Sequence, residues 1–174
     1  MKILFSLLVF FFASPVFSTE LNPLLETSAK YGHIKVVRVL SVDTLLLEND
    51  EKVSLIGLIG PTPPKRDDVK RDKYGFIVPD EDPTTSLEVE AFRFVKGLVE
   101  GKDVRLEFDA ERRDDFGMRT VYAFLPDGKM LNEEILRQGY AQLKLRMPNM
   151  RYADRFRKAY QEAHREMRGL QGQW

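Results

Sequence analysis

Three short strand-forming segments in close succession are the feature of this sequence that most limits its fold. Residues 34–40 (IKVVRVL), 44–48 (TLLLE) and 52–58 (KVSLIGL) are rich in β-branched and aliphatic side chains, and short turn-sized intervals separate them. The polar segment 48–50 (END) is a turn signal. We therefore predict an antiparallel meander that ends before the segment 60–64 (GPTPP), since so many prolines exclude a central strand.

The rest of the chain is predicted to add helices and two further strands. The pattern indicates a helix at 85–100, strands at 103–108 and 120–125, and helices at 132–138 and 151–168. An apolar stripe on the first helix consists of Leu87, Ala91, Phe94, Val95 and Leu98. Five strands with a helix between the third and the fourth is the order of an OB-fold barrel, here an α+β barrel with three helices, although several antiparallel α+β arrangements share this order.

Residues 1–18 (MKILFSLLVFFFASPVFS) predict a signal peptide rather than a part of the fold. Lys2 precedes an apolar run that is shorter than the roughly 20 residues of a membrane-spanning helix, and small residues follow it. We expect cleavage near Ser18, no stable membrane span afterwards, and an exported protein that is either periplasmic or secreted. Residues 19–33 then form an N-terminal leader, and residues 34–174 form the domain.

Composition excludes several kinds of site. The chain has no cysteine, which excludes disulfides, zinc–thiolate sites, iron–sulfur clusters and thiol nucleophiles, and two histidines argue against a multi-histidine metal site. With 27 Lys and Arg against 27 Asp and Glu, no overall basic field points to nucleic acid. The charge is nevertheless uneven, because residues 137–174 hold nine Lys or Arg against three Asp or Glu.

Five short motifs occur in order along the chain. They are VLSVDT at 39–44, VSLIGLIGP at 53–61, RDDFGMR at 113–119, DGKMLN at 127–132 and LRQGYA at 136–141. These motifs resemble the segments VxDGDT, VRLxGIDAPE, RDxYGR and DGxxVNxxLVRxGLA of staphylococcal-nuclease-like (thermonuclease) domains. The resemblance extends from about residue 34 to residue 174, and it implies a five-stranded OB-fold barrel with three helices.

Active members of that family hydrolyse DNA and RNA phosphodiesters with one calcium ion, and this chemistry requires particular groups. Calcium needs several oxygen ligands, a carboxylate positions or activates the attacking water, and two arginines hold the phosphate and neutralise its growing charge. The resemblance therefore implies calcium as the cofactor if this chain is an active nuclease, and no cofactor if it is not.

Most of the required groups are absent at the matching positions. Asp43 matches a metal-ligand aspartate, and it is the candidate metal residue, with a turn-closing aspartate as the alternative interpretation. The other matching positions hold Ser41 and Ile59 for aspartates, Val42 for a glycine, Gly60 for a further ligand, Ser54 and Met118 for the two arginines, and Thr62 for the glutamate base. Leu145 and Met147 lie where the family carries nucleotide-stacking tyrosines. We therefore predict no catalytic residue.

Several cations remain as candidates for binding nucleic acid. They are Arg112, Arg113, Arg119, Lys144 and Arg146. Ordinary salt bridges with neighbouring acidic residues are the alternative role for the arginines at 112–119. Arg119 adjoins Met118 but is not expected to replace the missing arginine, since adjacent side chains on a strand point to opposite faces.

Two hypotheses about function follow. In the first, the chain is an exported, catalytically degenerate homologue that acts as a binding module for nucleic acid, an anionic polymer or an envelope protein. In the second, it is a working calcium-dependent nuclease in which the charged segment 65–83 supplies substitute residues, among them Asp67, Asp68 and Asp72. Because the base and both arginines are missing, the sequence favours the first hypothesis and leaves the question of enzymatic activity open.

Overall fold

A computed structural model describes residues 31–61 and 87–170 of the chain. The predicted signal peptide, most of the predicted leader, Thr62, the segment 65–83 and the last four residues lie outside the described residues. Within the described ranges, no helix combines the length and the apolar character that crossing a membrane requires.

The described residues form seven strands and three helices. In chain order these are β1 (Ile34–Ser41), β2 (Thr44–Leu47), β3 (Lys52–Leu55), β4 (Gly57–Ile59), α1 (Leu87–Val99), β5 (Asp103–Glu107), β6 (Arg119–Phe124), α2 (Leu131–Arg137), β7 (Gln142–Lys144) and α3 (Ala153–Arg165). The five barrel strands and the three helices follow the predicted order, and most of their predicted ends differ from the observed ones by one to three residues, but β7 between α2 and α3 was not predicted.

Five of these strands close into a barrel in the order β1-β2-β3-β6-β5. The meander β1-β2-β3 is antiparallel, as predicted, and β5 pairs antiparallel with both β1 and β6. The ring is completed by a parallel pairing of β3 with β6, in which Ser54 lies opposite Thr120. A closed barrel leaves no open sheet edge, so strand pairing by itself defines the interior of the domain.

The prediction of one continuous strand over residues 52–58 is wrong. The chain bends after Leu55, and the segment Gly57–Ile59 leaves the barrel to pair with β7. Gly57 has φ of +88°, a conformation that residues with a Cβ rarely adopt, and a Cβ built there would overlap the ring of Phe156 on α3. The bend therefore depends on a close approach to a helix that is distant in sequence.

The barrel interior and the inner faces of the helices form one apolar core. Leu45, Leu47, Val53 and Val121 fill the barrel. Of the stripe predicted on α1, Ala91 and Val95 are fully buried, Phe94 and Leu98 pack against the core from partly exposed positions, and Leu87 is half-buried. The α1 stripe was thus predicted correctly, because its spacing follows the helical repeat.

The spacing of Tyr152, Phe156, Tyr160, Ala163 and Met167 predicts an apolar stripe on the last helix, and Phe156 and Ala163 lie in the buried face of α3 as expected. Met167 was predicted to continue that face, but α3 ends at Arg165, and Met167 is 73% exposed with φ of +51°. The helical repeat no longer applies beyond the end of the helix, so the predicted continuation is wrong at this residue.

Asn132, a polar side chain of α2, is completely buried inside this fold. Its Oδ1 accepts a hydrogen bond from the backbone N–H of Ala123 on β6 at 3.0 Å. Its Nδ2 donates to the carbonyl of Ile56 at 2.9 Å and to that of Val121 at 3.3 Å. Because Ile56 lies in the β3–β4 bend, this one amide joins the bend, the barrel and α2.

Candidate functional site

Asp43, the candidate metal residue, lies in the tight turn between β1 and β2. Its Oδ1 accepts hydrogen bonds from the hydroxyls of Ser41 at 2.6 Å and Thr44 at 3.2 Å, and its Oδ2 accepts one from the backbone N–H of Gly60 at 3.0 Å. The Asp43 carbonyl also accepts the N–H of Leu55 at 2.8 Å. Both carboxylate oxygens are therefore bonded to donors of the protein, and the side chain connects the turn to the end of β4.

Val42 and Gly60 pack directly against each other beside this carboxylate. Val42 is 2% exposed, and a Cβ built on Gly60 would lie only 2.7 Å from the Cβ of Val42. Only a glycine fits at residue 60 while Val42 occupies this space. Next to Gly60, Ile59 presents an aliphatic side chain that is 40% exposed. The surroundings of Asp43 thus supply apolar contacts, two hydroxyl donors and one backbone donor rather than further carboxylates.

A cleft of about 190 Å³ opens beside the β3–β4 bend. The bend forms one wall, the loop that carries Arg113 forms another, and β7 with the turn after it forms a third. Among the predicted binding residues, Arg113, Lys144 and Arg146 line this cleft, and so does Ser54. The structure therefore brings together three of the five predicted cations.

Acidic side chains balance those three cations. Glu111, Asp114 and Asp115 line the same cleft. Arg146 and Asp115 form a bidentate salt bridge, with Nη1–Oδ2 and Nη2–Oδ1 distances of 2.6 and 2.9 Å. The hydrogen bonds and charge of Arg146 hold the pKa of Asp115 below its ordinary value, and Asp115 raises the pKa of Arg146 in turn. Arg113 donates to the carbonyl of Gly117, so the cleft is not a strongly cationic surface.

The other two predicted cations lie elsewhere. Arg119 pairs with Glu51 and lies over the rings of Tyr31 and Phe108, at 5.6 and 5.8 Å from the ring centres. Arg112 lies 5.5 Å from the centre of the Phe108 ring. The structure therefore divides the five candidates into a cleft group and an aromatic group, and Arg119 is engaged away from the cleft.

Phe116 was quoted in the third motif but was not selected as a candidate site residue. It lines the cleft and is 92% exposed, within a turn in which Asp114 Oδ1 accepts the N–H groups of Phe116 and Met118, both at 2.9 Å. The available signal was an aromatic residue within a polar turn, between Asp115 and Gly117. Such a residue has no core to face, so it is presented to solvent.

Comparison with known proteins identifies the family. The family model described as staphylococcal nuclease homologue matches residues 37–173. The chain belongs to this family. It is 29% identical over 153 residues to the thermonuclease of Staphylococcus hyicus, with 86% of this chain and 83% of the relative covered. It is 28% identical over 131 residues to the thermonuclease of Staphylococcus intermedius, with 75% and 71% covered.

A third relative matches a shorter segment of the chain, but with a higher sequence identity. The chain is 40% identical over 73 residues to the SPbeta prophage-derived endonuclease YokF of Bacillus subtilis (strain 168), with 41% of this chain and 24% of that protein covered. The family membership, the closed five-stranded barrel and the three helices of the described part agree with one another. The fold predicted from the sequence is therefore confirmed.

The calcium ion that this family implies does not fit the side chains described around Asp43. Calcium takes six to eight oxygen ligands, several of them carboxylates with free lone pairs. Within residues 31–61 and 87–170, no group of three or more His, Cys, Asp or Glu side chains is placed to hold a metal ion. The Asp43 carboxylate already accepts three protein hydrogen bonds, so these side chains do not form a calcium site.

Proposed function

We propose that this staphylococcal nuclease homologue is exported and binds an anionic polymer, nucleic acid foremost, without hydrolysing it. The observation that carries the proposal is the hydrogen bonding of Asp43. A carboxylate that already accepts bonds from Ser41, Thr44 and Gly60 has lost much of its capacity to bind a cation. Its role is to close a turn.

The side chains around the cleft support the same conclusion. Ser54 lies at the position where the resemblance places a phosphate-holding arginine, and a hydroxyl has neither the positive charge nor the forked donors of a guanidinium. Met118 lies at the second arginine position, and a thioether cannot neutralise a phosphate. Since such groups act as a unit in catalysis, the loss of all of them leaves almost no rate enhancement.

The packing of Val42 against Gly60 indicates that the surroundings of Asp43 are adapted to their present residues. In the family that the motifs resemble, the position of residue 42 holds a glycine and that of residue 60 holds a metal-ligand residue, for which Gly60 could offer only its carbonyl. Here the bulky side chain is on residue 42 and the glycine is on residue 60, in van der Waals contact. A side chain on residue 60 that could reach a metal has no room while Val42 is present.

Export is the cellular part of the proposal. It is supported by residues 1–18, whose charged start, short apolar run and small residues have the order of a signal peptide. An exported polymer-binding domain needs stability without disulfides, because the chain has no cysteine. The closed barrel and its continuous core provide that stability by packing.

The test is a nuclease assay with the purified chain. Plasmid DNA and RNA are incubated with it at millimolar calcium and in a chelator, with the thermonuclease of Staphylococcus hyicus as the positive control and an Asp43→Ala variant alongside. We expect both substrates to remain intact in every sample except the positive control. Calcium-dependent cleavage by the parent that the Asp43→Ala variant lacks would instead establish the alternative function, an active nuclease with substitute ligands.

A further inference from the structure

The outer face of α3 carries a set of cations that the cleft does not use. Within residues 151–168 there are six Lys or Arg against three Asp or Glu. We define the α3 cationic face by its exposed members, Arg151, Arg155, Arg157, Lys158 and Arg165. The buried side of the same helix holds Ala153, Phe156, Ala159 and Ala163, which fixes the cations on the outer side.

Most of the nearby carboxylates are already paired. Glu162 lies 3.7 Å from Arg137 and 3.6 Å from Arg168, and Glu166 pairs with Arg168. Asp154 lies 2.7 Å from Arg157. Each acidic residue in and directly after α3 therefore contacts an arginine, and none of them contacts Lys158 or Arg165.

Two of the five members of this face, Lys158 and Arg165, have no carboxylate partner in the described part of the chain. By contrast, Arg151 lies 3.5 Å from Glu107, and Arg155 pairs with Glu133. Lys158 and Arg165 contact no carboxylate among residues 31–61 and 87–170. Their charges are therefore available to an external anion without the breaking of an internal pair.

A shallow depression of about 350 Å³ lies between these two cations. Its lining consists of Lys158, Tyr160, Gln161, His164 and Arg165, with no acidic residue. The cleft differs in this respect, since Glu111, Asp114 and Asp115 line it together with its cations. An anion at the α3 depression meets only cationic or neutral groups.

We propose that the α3 cationic face binds the phosphate backbone of double-stranded nucleic acid, an inference that rests on the proposed function and assigns it a surface. Lys158 and Arg165 are seven residues apart, which is nearly two full helical turns, so both point outward about 10.5 Å apart along the axis. Because they lie on nearly the same line of a rigid helix, both free charges can face one phosphate backbone at the same time.

The other residues of this face favour a duplex over a single strand or a membrane. Single strands are usually held by bases that stack on exposed aromatic rings. The exposed positions of α3 hold no Phe, Tyr or Trp, and Tyr160 is half-buried. A bilayer surface is usually bound by burying several aliphatic or aromatic side chains, whereas the exposed positions of α3 provide none and Met167 directly after it is a single one. Point charges on a rigid helix suit a phosphate backbone that is read without base contacts.

The experiment measures the binding of a fluorescent 20-base-pair duplex, in chelator, over a range of salt concentrations. The parent is compared with the double variant Lys158→Gln/Arg165→Gln and with a matched control, Lys52→Gln/Arg93→Gln, which removes the same charge from two other exposed positions. Each lost phosphate contact lowers the slope of log K against log salt by about 1. We expect the α3 variant to lose about 2 from this slope and about tenfold or more in affinity at low salt, and the control to change affinity less than about twofold.

Other results would overturn the inference. Equal losses in the two double variants would show that net charge alone governs binding. An undetectable duplex affinity in the parent, or tighter binding of a single strand or of anionic vesicles than of the duplex, would also contradict it. Hydrolysis is assayed separately on the same variants, so a parent that cleaves DNA while the α3 variant loses binding would disprove only the proposed function.

Discussion

Asn132 is a fully buried polar residue whose side-chain amide bonds three backbone groups. Apart from tyrosines, it is the one buried polar or charged side chain in the described core, and the three backbone groups come from two segments, β6 and the β3–β4 bend. We predict that Asn132→Ala lowers the free energy of unfolding by about 2–4 kcal/mol, because the buried N–H of Ala123 and the carbonyl of Ile56 lose their partner. Urea denaturation measures this change.

Asn49→Ala is the matched control for that experiment. Asn49 lies in the exposed β2–β3 turn, where its Oδ1 accepts the N–H of Glu51 at 3.2 Å. Water replaces this partner, so we expect a loss below about 1 kcal/mol. Losses of equal size at the two positions would show that burial of Asn132 is not what makes it important.

A second prediction at the level of single residues concerns the carboxylate of Asp43. Asparagine keeps one acceptor oxygen and presents an N–H₂ group to donors, so Asp43→Asn cannot accept from Ser41 and Gly60 together. We expect the variant to be about 1–3 kcal/mol less stable than the parent. Millimolar calcium should leave the melting temperature of both proteins unchanged. A calcium-dependent rise in the parent that is absent from the variant would show that Asp43 binds the metal.

At the scale of elements, the bend between β3 and β4 depends on Gly57. A Cβ at this position would overlap the Phe156 ring and would strain a backbone with φ of +88°. We predict that Gly57→Ala costs about 3 kcal/mol or more, because α3 must move away from β4. Gly97→Ala is the control, since no atom lies within 4 Å of a Cβ built there on α1. We expect that change to be neutral or to stabilise by up to about 1 kcal/mol in urea denaturation.

The β1–β2 turn and the end of β4 meet at positions where the family carries metal ligands, so restoring the family's residues tests whether their loss removed the activity. We predict that Ile59→Asp alone restores no nuclease activity, because it adds a carboxylate without a base or a phosphate clamp. The complete set is Ser41→Asp, Ser54→Arg, Ile59→Asp, Thr62→Glu and Met118→Arg. Ser41→Asp replaces a donor to Asp43 with a second negative charge, so we expect the five-fold variant to be less stable than the parent.

Calcium should restore part of that lost stability by binding only the folded five-fold variant. Melting curves with and without calcium measure the difference between the two proteins. If the parent and the five-fold variant gain the same stability from calcium, the alignment of these motifs with the family is wrong.

At the scale of the molecule, two carboxylates near the end of β5 anchor α3 on the barrel. Glu107 accepts a hydrogen bond from Tyr152 at 2.7 Å, and Asp109 accepts bonds from the hydroxyl of Tyr122 at 2.6 Å and the N–H of Arg151 at 3.1 Å. Partial burial opposes ionisation of both carboxyls. Hydrogen bonds, chiefly from Arg105 to Glu107 and from Tyr122 to Asp109, outweigh it and hold both pKa values below their ordinary range.

A carboxyl whose pKa is lowered by folding stabilises the folded state at every pH above the pKa that the same group has in the unfolded chain. That stabilisation is lost as the pH falls from about 4 through the lower folded-state value. We predict that Tyr122→Phe lowers stability by about 2 kcal/mol at pH 7 and that the difference from the parent shrinks below about pH 3.5. Tyr160→Phe, whose hydroxyl bonds to no described residue, should show no such pH dependence. A Tyr122→Phe difference that is constant between pH 7 and pH 3 would contradict this role.

The sequence by itself determined the elements whose signals are local. The α1 stripe from Ala91 to Leu98 follows the helical repeat, and the strands of the meander follow short-range alternation and turn residues. The residues at the motif positions are also read directly from the sequence. It shows without coordinates that Ser54 and Met118 occupy the positions where the family carries arginines. These features depend on residues that are close together in the chain.

Only the tertiary structure decided features that join distant segments. It ended β3 at Leu55 because Gly57 meets Phe156 of α3, and it separated Arg119 from the cleft by pairing it with Glu51. It also gave Asp43 a donor on Gly60 and left Lys158 without a carboxylate among the described residues. Hydrogen bonds and ion pairs act over a few ångströms, and folding rather than chain order sets which groups come that close.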